Sequence, residues 1–243
     1  MDFESFLKYI TTQPRNKRIY KSFADGNVIK DMGITSQYIL LRVYLDAFST
    51  NSPLGSSANK HKVLGVYYSP ITDLKLASNR STVQTLALLF PSDVKEFGLS
   101  KCLETSIKEL RLLVENGCFD EKSQHTLQVR LIASLGDNLE QNEVCGIVQN
   151  FATTQHSCRK CLCSRDDLKN YTEYSDIHSR YHEPRTNQML SDNYEESLEL
   201  EVTHVNGVTG RSLYHEFPFF NIPKQLPQCA RLNDILTKYY TIF

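Results

Sequence analysis

Two aspartates, each closing an apolar run of β type, constrain this chain more than any other feature. The first run is Tyr38 to Phe48 (YILLRVYLDAF), with Asp46 near its end. The second is Thr126 to Asn138 (TLQVRLIASLGDN), with Asp137 near its end. Between them lie two more strand-like runs, Lys62 to Ser69 (KVLGVYYS) and Thr82 to Phe90 (STVQTLALLF without its leading serine). The short connections among the first three runs predict an antiparallel meander. The first run is almost continuously apolar, the pattern of a strand covered on both faces.

Pro91 to Asn116 reads as helix, with Ser92 as a candidate N-cap and acidic residues in the first turn. Gly98 is a candidate break, and Ser100 a candidate restart. Leu103, Ile107, Leu110 and Val114 then recur at helical spacing, and Gly117 is a natural C-cap. A further helix is predicted over Glu140 to Phe151. Leu198 to Val205 reads as a strand, and the aromatic stretch Ser212 to Ile222 as a segment that packs back on the core. The order is strand with Asp, strand, strand, helix, strand with Asp, helix. It predicts an α/β fold with an RNase H-like mixed central sheet flanked by helices and a Cys/His-rich insertion. In that topology the first and fourth strands lie side by side and parallel, so the two carboxylates meet. Paired carboxylates suit Mg²⁺ or Mn²⁺, hard cations that take oxygen ligands and drive two-metal phosphodiester chemistry.

The predicted organisation has four parts. Residues 1–36 are peripheral and 37–151 are the first part of the core. Residues 152–197 are the insertion, and 198–243 complete the core. At 243 residues and 40% hydrophobic the chain can bury a substantial core. Its net charge of -1 gives no global basic field, so any nucleic-acid surface is local. No apolar stretch reaches the ~18–20 residues of a membrane span, and the N-terminus has no signal-peptide h-region. Seven unevenly spaced cysteines argue against a disulfide framework and for a reducing compartment, nucleus or cytosol. No P-loop, GxGxxG or GxSxG motif is present.

Each candidate residue has a plainer reading. Asp46 is a metal ligand, or a strand-end aspartate capping the turn through Ser49 or Asn51. Asp137 is a metal ligand, or the N-cap of the following helix. A third carboxylate is sought among Asp234, Glu216 and Glu201. Cys158 and Cys161 followed by His178 and His182 have the spacing of a structural Zn²⁺ site that would hold together a polar insertion. His156 or Cys163 could replace one of the histidines, and the plain alternative is a set of reduced surface cysteines. Lys60, His61, Lys62, Arg159 and Lys160 are phosphate contacts or ordinary exposed charge, as is the basic cluster Arg15, Lys17, Arg18 and Lys21.

Three motifs, in order, resemble a known family. The first is DGNVIKDM…YILLRVYLDAFSTNSPLGSSANKHKVLGVYYSPITDL, with Asp46, Phe48, Asn51, Pro53, Gly55, Lys62, Gly65 and Tyr67 at the family's positions. The second is LIASLGDN…GIVQNF…HSCRKC, and the third NGVTGRSLYHEFPFFNIPKQLPQC. Together, over about residues 19 to 230, they resemble animal DNA-transposon transposases related to the CACTA/EnSpm group. The resemblance implies a DDE/D active site on an RNase H-like fold, divalent-metal chemistry, DNA as partner and a nuclear location. It also implies that Asp46 and Asp137 are catalytic. After Cys229 the family's histidine–aspartate–leucine…glutamate–glycine motif is replaced by ARLNDILTKYY, with Asp234 within one residue of the family's aspartate. The expectation is therefore a truncated or degenerate, catalytically incomplete copy, or a non-catalytic DNA- or protein-interaction module on the same fold.

Overall fold

A computed structural model describes residues 30, 32–34, 38–50, 62–71, 82–150, 154–166 and 183–226. Its centre is a five-stranded mixed sheet. In chain order the strands are β1 (Tyr38–Ser49), β2 (Lys62–Ile71), β3 (Gln84–Leu89), β4 (Cys118–Asp120) and β5 (His125–Leu135). They lie side by side in the order β3-β2-β1-β5-β4. β1 pairs antiparallel with β2, and β2 antiparallel with β3. β5 returns parallel to β1 on its other side. The connection that reverses it carries the helices α1 (Pro91–Phe97), α2 (Leu99–Cys102) and α3 (Glu104–Asn116). The short β4 is an edge hairpin on β5 that the apolar pattern does not announce.

One face of the sheet makes the core. Leu41, Val43 and Leu45 of β1 point into it, with Leu64 and Val66 of β2 and Val129 and Leu131 of β5. Leu103 just before α3, and Leu110 and Val114 within it, close it from the helical side, and Tyr214, Phe217, Phe220 and Ile222 from the C-terminal aromatic stretch. Fully burying one such side chain contributes about 1.5–3 kcal/mol. The aromatic stretch therefore packs back on the core as its composition predicts. It is pinned there by Gln225, whose side-chain amide donates to the Leu131 carbonyl at 2.9 Å.

Four local expectations need correction. β1 is covered on both faces only at its start, where Leu40 is buried in a separate cluster with Ile71; beyond Leu41 its buried residues alternate with Arg42, Tyr44 and Asp46, which are half-buried or exposed. Its apolar look comes from Tyr44 and Leu40 rather than from a second full core layer. Ser92 does not cap α1. The N-cap position is Phe90, with no side-chain cap, and Ser92 Oγ donates to Asp93 instead. The helix after Asp137, α4 (Asn138–Cys145), stops before residue 151 because Gly146 turns left-handed at φ 74°. Leu198 to Val205 is not a strand. The helix α5 (Asn187–Glu199) runs through its beginning, capped by Thr186 Oγ1, which accepts from the Met189 N–H. The last short helix is α6 (Ile222–Gln225). Among the described residues no helix is long and apolar enough to cross a membrane.

Candidate functional site

The register of β1 and β5 sets the two aspartates. Tyr38 to Leu41 pair with Gln128 to Leu131, the register then skips Ile132, and Arg42, Val43 and Tyr44 pair with Ala133, Ser134 and Leu135. That bulge turns Ser134 inward, where it accepts a buried hydrogen bond from the Tyr214 hydroxyl at 3.1 Å. The paired ladder ends at Tyr44 and Leu135, two residues before Asp46 on one strand and Asp137 after the other. Gly136 keeps the chains close there, since a Cβ on it would lie 3.1 Å from the Leu45 carbonyl oxygen.

The two carboxylates differ in their surroundings. Asp46 is exposed and faces Gly65 of β2 across the ladder. It has no hydrogen-bond or ion-pair partner among the described residues, so it does not cap the turn through Ser49. Its exposure also removes the desolvation cost that a fully covered strand would have imposed. Asp137 keeps an extended backbone (φ -72°, ψ 179°) and is the N-cap of α4. One of its oxygens, Oδ1, accepts from the N–H groups of Leu139 at 2.7 Å and Glu140 at 3.0 Å. The capping reading of Asp137 is thus realised, and it leaves Oδ2 outside the cap.

The neighbourhood holds a feature that sequence reasoning passed over. Arg42, Tyr44, Tyr67, Tyr68, Ser69, Val83 and Leu135 line a cleft on this face of the sheet. Tyr44 and Tyr67 are stacked, with centroids 6.5 Å apart. The Tyr67 ring leans over Gly65, where an added Cβ would meet its hydroxyl at 2.3 Å. The readable signal was the alternation Arg42, Tyr44, Asp46 on one side of β1.

A second centre lies behind α4. Cys158, Cys161 and Cys163 are all buried, and their sulfurs lie within 4.8 Å of one another. Cys158 and Cys161 Sγ are 3.6 Å apart. Ligands about 2.3 Å from a tetrahedral Zn²⁺ stand roughly 3.8 Å from each other, so this pair fits the ion. The backbone holds the turn from outside: Leu162 N–H donates to the Glu183 carbonyl at 3.1 Å, and Arg185 N–H to the Lys160 carbonyl at 2.8 Å. The group can therefore hold a metal ion such as zinc. Cys163, a substitute ligand in the spacing argument, belongs to the group. His156 does not: its Nδ1 is 3.0 Å from the Leu162 carbonyl oxygen. His178 and His182 lie outside the described residues, as do Lys60, His61, Asp234 and the basic cluster at residues 15–21.

Without a metal Cys161 and Cys163 favour the thiol. Hydrogen bonding to Cys158 pushes Cys161 up to about 11, and bonds to Cys158 and Cys161 raise Cys163. Burial pushes the neighbouring Cys145 up to about 12. A bound dication inverts that preference, because only thiolates ligate it. Arg185 is buried alongside, where burial lowers its guanidinium's pKa. It donates to the carbonyls of Cys158 at 2.8 Å, His156 at 3.2 Å and Asn206 at 2.6 Å.

Other candidates are placed as follows. Arg159 is 1% exposed and so is neither a DNA contact nor a solvated charge. Its guanidinium bonds Asn138 and Asn142 of α4. Lys160 is half-buried, and Lys62 is exposed at the Asp46 end of β2. Glu216 is exposed and paired with Arg111 of α3, and Glu201 is exposed with φ 51°. Among the described residues, the three cysteines are the only group of three or more His, Cys, Asp or Glu ligand atoms this close together. No family model matches the chain, and no curated protein matches it.

Proposed function

We propose that this chain is a transposase-derived, RNase H-like core whose ancestral chemistry is metal-dependent DNA cleavage and strand transfer. The observation that supports the reading is the parallel pairing of β1 with β5, whose ladder ends two residues before Asp46 and Asp137, so that both follow the same end of the sheet. The strand order β3-β2-β1-β5 supports it, as does the resemblance of the three sequence motifs. Mg²⁺ or Mn²⁺ held by Asp46 and Asp137 Oδ2 would activate water or a 3′-hydroxyl for in-line attack on a phosphodiester. The three-cysteine group is the structural Zn²⁺ site of the insertion.

The chain by itself is catalytically incomplete. Two carboxylates hold a dication weakly, and a DDE-type reaction needs a third to fix the second ion. The second reading, a non-catalytic DNA- or protein-interaction module on the same fold, is favoured by the absence of a third acidic ligand beside the pair among the described residues.

Two measurements test this. Mn²⁺ titration should show a weak site that Asp46→Asn and Asp137→Asn both abolish. Asparagine remains a good N-cap, so the second variant separates ligation from capping. Unchanged Mn²⁺ affinity in both variants would overturn the aspartate site. Supercoiled plasmid incubated with Mg²⁺ or Mn²⁺ should stay intact. Nicking that Asp46→Asn abolishes would overturn the incompleteness and make Asp234 the next residue to mutate.

A further inference from the structure

The cysteine turn and the helix start that Asp137 caps are joined by a set of buried and partly buried hydrogen bonds. Arg159 lies between Cys158 and Cys161 in the chain and is sealed from solvent. Its Nη1 donates to the Asn142 side-chain oxygen at 2.5 Å and to the Asn138 carbonyl at 3.2 Å, and its Nη2 to the Asn138 side-chain oxygen at 3.2 Å. Asn138 is the first residue of α4, directly after Asp137. Asn142, also buried, completes the loop by donating from Nδ2 to the Ser157 carbonyl at 3.3 Å, one residue before Cys158. The planar guanidinium fork fixes position as well as distance, which a single contact cannot do.

We propose that Arg159 is a positioning residue that transmits metal occupancy of the cysteine group to Asp137. A metal that clamps Cys158 and Cys161 fixes the two-residue turn between them, and with it the Arg159 fork. The fork holds the first turn of α4, whose N–H groups in turn orient the Asp137 carboxylate. Binding at the two sites is then coupled, and by thermodynamic reciprocity zinc strengthens Mn²⁺ binding as much as Mn²⁺ strengthens zinc. This deepens the reading above and rests on it for the role of Asp137. The link itself is read from the α4 cap, which reports whether or not the aspartates take metal.

The test uses the full chain and two probes, Zn²⁺ and Mn²⁺. The amide resonances of Leu139 and Glu140, which Asp137 caps, are followed by NMR while zinc is stripped with a chelator and restored. We expect both amides to shift and to exchange faster without zinc, and to recover on zinc addition. Arg159→Met should keep zinc by elemental analysis, because the three sulfurs remain, yet leave both amides indifferent to its removal. Arg159→Lys, which keeps the buried charge without the fork, should give a partial response and carries the test should Arg159→Met not fold. Mn²⁺ affinity should fall about tenfold on zinc removal in the wild type, within the usual range for coupled sites, and stay unchanged in Arg159→Met. Capping amides that ignore zinc in the wild type would overturn the proposal, as would a full wild-type response in Arg159→Met. Responsive amides without Mn²⁺ binding would keep the Arg159 link and sink the aspartate site instead.

Discussion

The sharpest stability prediction concerns Gly146, where α4 ends and the chain turns to meet the segment that closes the core. Its backbone is left-handed, with φ 74° and ψ 29°. A Cβ there would stand 2.1 Å from the Gly210 carbonyl oxygen, so the neighbouring backbone has to move. Two separate costs follow. Left-handed geometry costs a non-glycine residue about 1–2 kcal/mol. Pushing the 209–211 strand of chain away breaks the bonds that Thr209 and Gly210 N–H donate to the Gly146 carbonyl, at 2.8 and 3.2 Å. At about 1 kcal/mol each these add roughly 2 kcal/mol. Gly146→Ala should therefore cost about 3–4 kcal/mol, a large part of a typical 5–15 kcal/mol stability.

Asparagine separates the two costs. It tolerates the left-handed region but carries the same Cβ. Gly146→Asn should retain the displacement cost of about 2 kcal/mol. In urea, with a slope of about 2–3 kcal/mol/M for a chain of this size, the midpoint should fall by roughly 1–2 M for alanine and about 1 M for asparagine. An asparagine variant within about 0.5 kcal/mol of wild type would show that only the dihedral angle matters, and would refute the close approach of Gly146 to Gly210.

Two further outcomes are expected. Tyr214→Phe deletes the buried bond to Ser134 and should cost about 1–2 kcal/mol by chemical denaturation, while adding Ser134→Ala should recover part of the loss because no polar atom is then stranded. Glu143 is half-buried, and burial holds its carboxyl above the usual range, against the opposing hydrogen bond from Gln149. Its contribution to stability is present below the unfolded carboxylate range and is lost as pH rises through the raised value. Glu143→Gln should accordingly raise Tm at pH 7 and converge with wild type near pH 4, and a gain that is the same at both pH values would defeat the burial argument.

Much of the fold was written in the chain at the level of period and punctuation. The long apolar runs of β1, β2 and β5 form strands because their residues are β-branched, leucine or tyrosine and fit a pleated, half-buried surface. Gly98 and Gly117 mark helix boundaries, as their freedom of φ allows. The failures share a cause as well. α5 hid because its buried face carries Asn193 and Ser197 beside Leu190, so the apolar period of 3.6 is broken where polar side chains are buried. Asn193 accepts from Asn206 at 3.3 Å, and Ser197 Oγ donates to the Tyr194 carbonyl at 2.7 Å. The Tyr194 carbonyl is the ordinary i−3 acceptor of a helical serine, whereas the Asn206 partner is not predictable from local spacing. The one local signal was Thr186 as N-cap.

The candidate site divides along the same line. Residue type and spacing marked Asp46, Asp137 and the cysteine pair as candidates beside their plainer readings, because carboxylates at strand ends and Cys-x2-Cys turns are local features. What spacing could not supply is the bulge at Ile132, which sets the register in which β1 and β5 run to their common end. Nor could it foresee a cation at the heart of the cysteine turn. A basic residue between two cysteines reads equally as a phosphate contact or as exposed charge. In the fold Arg159 is among the most deeply buried side chains, bonded to the helix that Asp137 caps. Burying a guanidinium is expensive, and the bonds from Nη1 and Nη2 of Arg159 to Asn138 and Asn142 offset part of that cost. The geometry therefore makes the cysteine turn and the Asp137 cap one mechanical unit.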